Sequence, residues 1–243
     1  MAQMKELNPH VSVDCVVFGY DSDKLKVLLV ERQGTKASPS KYKLPGDLVY
    51  EDEDLDEAVA RVMKTLTGLK DIFFKQFKVF GSPDRIRLQP DDLEWLQQTS
   101  KLPIKRVVTV AYYSLVYLNH RLHSKIIPGA SWHDVYHLPR LAFDHTSIVK
   151  EGLKTLRREI RHEPIEFELL PSRFTLRELQ NLYEILFQRS LDSRNFRKKM
   201  YSLGYLVPLK EKEKNVAHKP AQYFRFDIKK YQEAKQKNFR YSF

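Results

Sequence analysis

Residues 44–69 read LPGDLVYEDEDLDEAVARVMKTLTGL. Carboxylates crowd the stretch from Asp47 to Glu57, and none occurs between Ala58 and Leu69. Leu55, Ala58, Val59, Val62, Met63 and Leu66 recur at helical spacing, so the second half predicts an amphipathic helix that Gly68 stops. Asp54 with Glu57 three residues on makes a capping box. That box explains part of the acidity, because a helix N-terminus presents unpaired N–H groups and the positive end of its dipole. An acidic loop running into a helix is also a way to hold a divalent cation, yet Val62, Thr65 and Leu66 bring no carboxylate to its later turns. The cluster is read as a solvated face that stabilises the helix start, with no metal and no cofactor expected.

Working outward, Val11–Tyr20 and Leu25–Glu31 are β-rich apolar runs on either side of the polar turn Asp21-Ser22-Asp23, which predicts a hairpin. The Gly, Pro and Ser content of Gln33–Lys41 predicts a loop. Further strands are expected at Ile72–Phe80 and Val107–Leu118. Between them, residues 82–104 form a long polar insertion containing Trp95, of a length that is usually functional or mobile. His137-Leu138-Pro139 marks a turn, and Ile148–Ile160 a basic helix that Glu163-Pro164 ends. The expected domains are therefore 1–163 and 164–243.

At 243 residues, with 42% hydrophobic and 30% charged, the chain suits a globular fold with a workable core. No apolar run approaches the roughly 20 residues that span a bilayer, and MAQMKELNPH lacks the basic-then-apolar plan of a secretory signal. A soluble, cytoplasmic protein with no membrane partner is expected. The single cysteine, Cys15, lies in an apolar run and is expected to pack in the core.

The net charge of +11 is unevenly spread. Residues 1–150 hold 21 Lys/Arg against 19 Asp/Glu, and residues 151–243 hold 21 against 12. A nearly neutral domain followed by a basic one suggests a ligand reader joined to a polyanion binder. In the basic part, Thr175 and Glu178 make a second capping box, opening a helix Leu176–Phe187 with Leu176, Leu179, Leu182, Tyr183 and Leu186 on one face. After the break Gln188–Leu191, Asp192 caps a helix Ser193–Leu203 that stops at Gly204. Phe196, Met200 and Leu203 form its apolar side; Arg194, Asn195, Arg197, Lys198 and Lys199 fill the rest. A short turn joining a capped helix to a second helix dense in Arg and Asn suits major-groove reading of double-stranded DNA, with Arg pairing guanine and Asn adenine. Tyr205–Leu209 and Tyr223–Asp227 then predict a wing whose loop offers Lys212, Lys214, His218 and Lys219 to phosphates.

The stretch at 44–69 resembles the Nudix hydrolases, whose box runs G-x5-E-x7-R-E-U-x-E-E-x-G-U with U aliphatic, usually preceded by Leu-Pro-Gly. Here Leu44-Pro45-Gly46 precedes Asp47 at the box Gly, Glu53 at the first Glu, Arg61 at the Arg, Gly68 at the late Gly and Leu69 after it. The glutamates that hold Mg²⁺ in the family are replaced by Val62, Thr65 and Leu66. Phe174-Thr175-Leu176, Leu179-Gln180, Leu182-Tyr183-Glu184 and Arg194–Lys198 resemble the winged-helix half of the Nudix-related transcriptional regulators. The resemblance covers nearly the whole chain and implies an α/β (α+β) Nudix-like sandwich domain followed by a winged helix-turn-helix. It implies a homodimer on a DNA operator, controlled by ADP-ribose, a related metabolite or a pentose, and regulating NAD or sugar metabolism genes.

A Nudix-like domain without its catalytic box keeps a cleft that can bind such an effector. By the order of elements, Arg32, Lys43, Asp84, Arg85, Arg106, Asp144 and His145 border it. Arg32 with Asp84-Arg85 is the preferred contact set, and His145 either touches ligand or caps the next helix. A hydrolase of ADP-ribose-like substrates using Glu53 in a displaced metal site is the rival reading. A module whose basic domain serves RNA or an acidic protein is the third.

Overall fold

The structure, a computed structural model, describes residues 5–32, 40–86, 90–214, 216–217 and 219–236. Most of the expected loop at Gln33–Lys41 lies outside the described residues, as does His218. The chain forms two compact units, Met1–Gly19 with Lys26–Thr155, and Tyr20–Leu25 with Leu156–Phe243.

In the first unit the strands are β1 (Leu7–Tyr20), β2 (Leu25–Glu31), β3 (Tyr42–Lys43) and β4 (Gly46–Tyr50). They are followed by α1 (Leu55–Thr67), β5 (Lys75–Phe80), α2 (Pro90–Ser100), β6 (Val108–Tyr117), α3 (His120–His123), β7 (Ala130–Asp134) and α4 (His145–Glu159). The sheet runs β3-β2-β1-β6-β5, with β4 paired to β1 and β7 to β2. The 14-residue β1 is its spine: Ser12, Val13 and Asp14 face Leu48, Asp47 and Gly46 of β4. That register explains Gly46, where a Cβ would come within 2.0 Å of the Asp14 carboxylate.

The helix expected at 55–67 forms as the spacing requires. Asp54 caps it with the full capping box, and Gly68 closes it at φ 78°, a left-handed conformation that favours glycine. Its Ala58, Val59, Val62 and Met63 pack with Val13, Cys15 and Val17 of β1 and with Val110 and Tyr112 of β6. Val62 is 1% exposed. Full burial of such a side chain contributes about 1.5–3 kcal/mol, so the positions without carboxylates hold the helix on the sheet.

Several bounds differ from the sequence expectation. β5 starts at Lys75 instead of Ile72, after Asp71 turns the chain at φ 57°. α4 starts at His145, three residues before Ile148. The insertion at 82–104 is no bare loop, because Pro90 opens α2 inside it. β3, β4, β7 and α3 had no expected counterpart.

In the second unit the two central helices and the two wing strands follow their expectation, while the short strand at Phe174–Thr175 and the helix Ile228–Gln236 had no expected counterpart. After a 3₁₀ turn at Ile165–Leu169 come β8 (Phe174–Thr175), α5 (Leu176–Phe187), α6 (Ser193–Ser202), β9 (Leu206–Lys212), β10 (Gln222–Phe226) and α7 (Ile228–Gln236). The strands form a sheet in the order β8-β10-β9. α5 buries Leu176, Leu179, Leu182, Tyr183 and Leu186, and Tyr183 meets Phe196 of α6 edge-on at 5.6 Å. The whole is an α/β Nudix-like unit followed by a winged helix-turn-helix.

Candidate effector cavity and nucleic-acid interface

The Nudix-box residues form a structural clamp. Arg61 donates from Nε to both oxygens of Glu53 at 3.1 and 2.8 Å and from Nη2 at 2.5 Å, and also reaches Leu48 O. The Glu53 carboxylate further accepts the Tyr50 N–H at 2.8 Å, and the Arg61 guanidinium lies over the Tyr50 ring. Burial opposes the Glu53 charge, yet Arg61 and the Tyr50 N–H hold its carboxyl below the usual range. With Glu53 committed to Arg61, Val62 buried in the core, Leu66 partly buried against it and Thr65 exposed, these positions of the helix do not fit a Mg²⁺ site.

Beside this clamp lies a cavity of about 190 Å³ between β1, β4, α2 and the residues around Arg85 and His145. Of the seven expected effector residues, Lys43, Arg85 and His145 line it, joined by Asp14 and Asp47 and walled by Trp95 and Phe143. Asp14 is the buried carboxylate of the group: Oδ2 accepts the Thr109 hydroxyl at 2.7 Å, and Oδ1 lies 3.4 Å from His145 Nε2. Burial opposes its charge, but His145, Arg85 and the Thr109 hydroxyl hold its carboxyl below the usual range. His145 Nδ1 accepts the Leu44 N–H at 2.8 Å, so a neutral ring carries its proton on Nε2, towards Asp14. Burial, aided by Lys43 and Arg85, lowers the affinity of that ring for a second proton. Lys43 donates to Gly46 O, and burial lowers its pKa.

The expected contact set of Arg32 with Asp84 and Arg85 does not form. Arg85 makes a bidentate pair with Asp144 at 3.0 and 2.8 Å, while Asp84 is exposed at a turn. Arg32 is 5% exposed, pairs with Asp92 of α2, and lies 4.4 Å above the Trp95 ring. The second Asp92 oxygen accepts the Phe143 N–H at 2.6 Å. Arg106 is exposed and donates to Gly81 O. Sequence reasoning thus missed Asp14 and Asp47 of the cavity lining, and it also missed Asp92, which anchors α2, and Trp95. The signal of the last two was faint: an acidic residue just after the first proline of a helix, and one large aromatic in a polar stretch.

In the second unit, Arg194, Asn195, Arg197 and Lys198 of α6 are exposed, and Lys199 is half-buried, which lowers its pKa. Thr175, also expected among the DNA contacts, is 3% exposed and its hydroxyl accepts the Glu178 N–H, so its place is that of the α5 cap. Lys212 and Lys214 are exposed on the wing, as is Lys219. The wing's acidic residues are engaged locally: Glu211 pairs with Arg173, and Glu213 accepts the Ala221 N–H at 2.9 Å. No helix among the described residues is long and apolar enough to cross a membrane.

Residues 8–151 match the model of the NUDIX domain, and residues 166–226 that of the NrtR DNA-binding winged helix domain. The chain is 28% identical over 230 residues to an ADPR responsive transcriptional repressor of Acinetobacter baylyi, covering 92% of this chain and 84% of the relative. It is 30% identical over 150 residues to an ADP-ribose pyrophosphatase of Methanocaldococcus jannaschii, covering 61% of this chain and 75% of that enzyme. Shewanella oneidensis NrtR, solved with a 27mer DNA, shares the fold with a TM-score of 0.71 at 23% identity, over 91% of this chain and 95% of that one. The chain belongs to the Nudix family, among the Nudix-related transcriptional regulators that carry an NrtR-type winged helix domain.

Proposed function

We propose that this chain is an effector-controlled, DNA-binding transcriptional regulator whose Nudix-like domain binds its ligand without hydrolysing it. The domains are assigned as 1–163 for the effector and 164–243 for DNA, and the regulator acts as a cytoplasmic homodimer on a pseudo-palindromic operator. The observation that carries this reading is α6, a capped helix that exposes Arg194, Asn195, Arg197 and Lys198 beside a basic wing. Arg and Asn on such a helix suit base edges, and Lys212, Lys214 and Lys219 suit phosphates.

An ADP-ribose-like effector is the preferred ligand, in line with the Acinetobacter relative's printed response to ADPR and with a cavity that offers carboxylates, Lys43 and aromatic walls. A free pentose is the second candidate, because Asp14 and Asp47 are acceptors suited to hydroxyl groups while Arg32 and Arg85 already hold carboxylates. Genes of NAD or sugar metabolism are the corresponding targets. The clamp of Glu53 on Arg61 and the apolar Val62 and Leu66 favour binding without catalysis.

Thermal-shift titration with ADP-ribose, NAD, nicotinamide nucleotides, arabinose and xylose tests the ligand. A ligand at 100 times its dissociation constant adds about 2.7 kcal/mol of stability. AMP release from ADP-ribose with added Mg²⁺ would overturn the non-catalytic reading in favour of the hydrolase. Stronger competition by RNA than by duplex DNA of matched length would overturn the operator assignment.

A further inference from the structure

The charged residues of α6 do not account for its whole exposed face. At about 100° per residue, Arg194, Lys198 and Tyr201 fall within roughly 60° of one another, on the side away from the buried Phe196, Met200 and Leu203. Asn195 and Lys199 lie on one flank of that stripe, and Arg197 lies on the other, in the row it shares with Tyr201 one turn on. Tyr201 is 60% exposed, the only tyrosine among the large exposed hydrophobic residues described. Its ring meets Phe224 of β10 edge-on at 5.9 Å, which puts the wing on the Arg197–Tyr201 side of the helix. Its hydroxyl makes no hydrogen bond among the described residues, whereas the buried Tyr183 donates to Glu166.

A recognition helix reads bases with its first turns, and its last turn runs out over the sugar-phosphate backbone. Tyr201 stands two turns after Arg194, at the meeting point of helix and wing. We infer that Tyr201 is a DNA-contacting residue whose phenolic O–H donates to a backbone phosphate, while the Phe224 contact fixes the angle at which helix and wing straddle that phosphate. The inference rests on the DNA-binding reading of α6 and adds to it a neutral contact that a census of charge does not reveal. A phenol displaces no counterion, so its contribution to binding differs from that of lysine: it raises affinity without steepening the salt dependence.

The test uses the full chain and duplexes selected by it from a randomised pool, with affinity measured by fluorescence anisotropy across a salt series. Tyr201→Phe keeps the ring against Phe224 and removes only the hydroxyl. It should weaken binding roughly tenfold, the scale of a hydrogen bond to a charged group, with an unchanged salt slope and an unchanged melting temperature. Lys198→Ala should instead reduce the magnitude of that slope by about 0.9 if its ammonium meets a phosphate. A selected duplex bound equally well by Tyr201→Phe and the parent chain overturns the inference alone. If no duplex is selected at all, the DNA-binding reading fails and this inference with it.

Discussion

Single residues in this chain are governed by burial more than by their position in a motif. Glu166 is the clearest case. It is 1% exposed, accepts the Tyr183 hydroxyl at 2.6 Å on one oxygen, and burial raises its pKa to about 8. The folded state therefore keeps a proton that the unfolded chain releases near its ordinary value of 4.5. Between those two values the folded state binds more protons, so its stability falls as the pH rises, and it levels off once both states have lost the proton. Glu166→Gln removes this dependence. Differential melting of the two forms should show little difference near the acid end of that window and a growing advantage for the glutamine form up to about pH 8. An advantage independent of pH would assign the effect to packing.

Elements with a local code were legible in the sequence, and those whose reasons are distant were not. α1, α5 and α6 each carry a capping residue, an apolar stripe and a stop within their own length, so their bounds follow from neighbours a few residues away. α2 carries only Leu93, Trp95 and Leu96 against the cluster of Ile86, Ile104 and Phe143, and it is anchored by Asp92 reaching Arg32, 60 residues earlier, and the Phe143 N–H, 51 residues later. No spacing rule connects those positions, and the same holds for the choice of Asp144 over Asp84 as the partner of Arg85. Lys43, Arg85 and His145 could be placed at the cleft from the order of elements, but Asp14, Asp92 and Trp95 emerge only with the sheet register and α2 in place. Removing the α2 anchor tests this. Asp92→Ala leaves the Arg32 guanidinium buried without its carboxylate, and urea unfolding should register a loss of about 3–5 kcal/mol. Because α2 supplies Trp95 and Leu96 to the cavity, effector affinity should fall in the same variant.

For the whole molecule, the two binding sites proposed for one chain imply a constraint that no single-site measurement reveals. If effector changes operator affinity by some factor, operator must change effector affinity by the same factor, typically about 5- to 150-fold. Calorimetric titration of effector into the free chain and into its DNA complex, compared with DNA binding at zero and saturating effector, should return one number by both routes. Unequal factors would show that a further equilibrium, such as a change of oligomeric state, is linked to one of the two binding steps.

The packing of Val62 and Leu66 also bears on the chain's evolutionary options. Restoring a carboxylate by Val62→Glu would place an ionisable group where the parent side chain is 1% exposed, among Val13, Cys15 and Val110, before any cation could reward it. That barrier is specific to Val62, because Thr65 is exposed and Leu66 only partly buried, and a carboxylate at either would stay nearer to water. A metal site built on this helix would therefore need the core around position 62 to be repacked along with the new carboxylate, which couples any gain of diphosphate hydrolysis to the stability of the sheet.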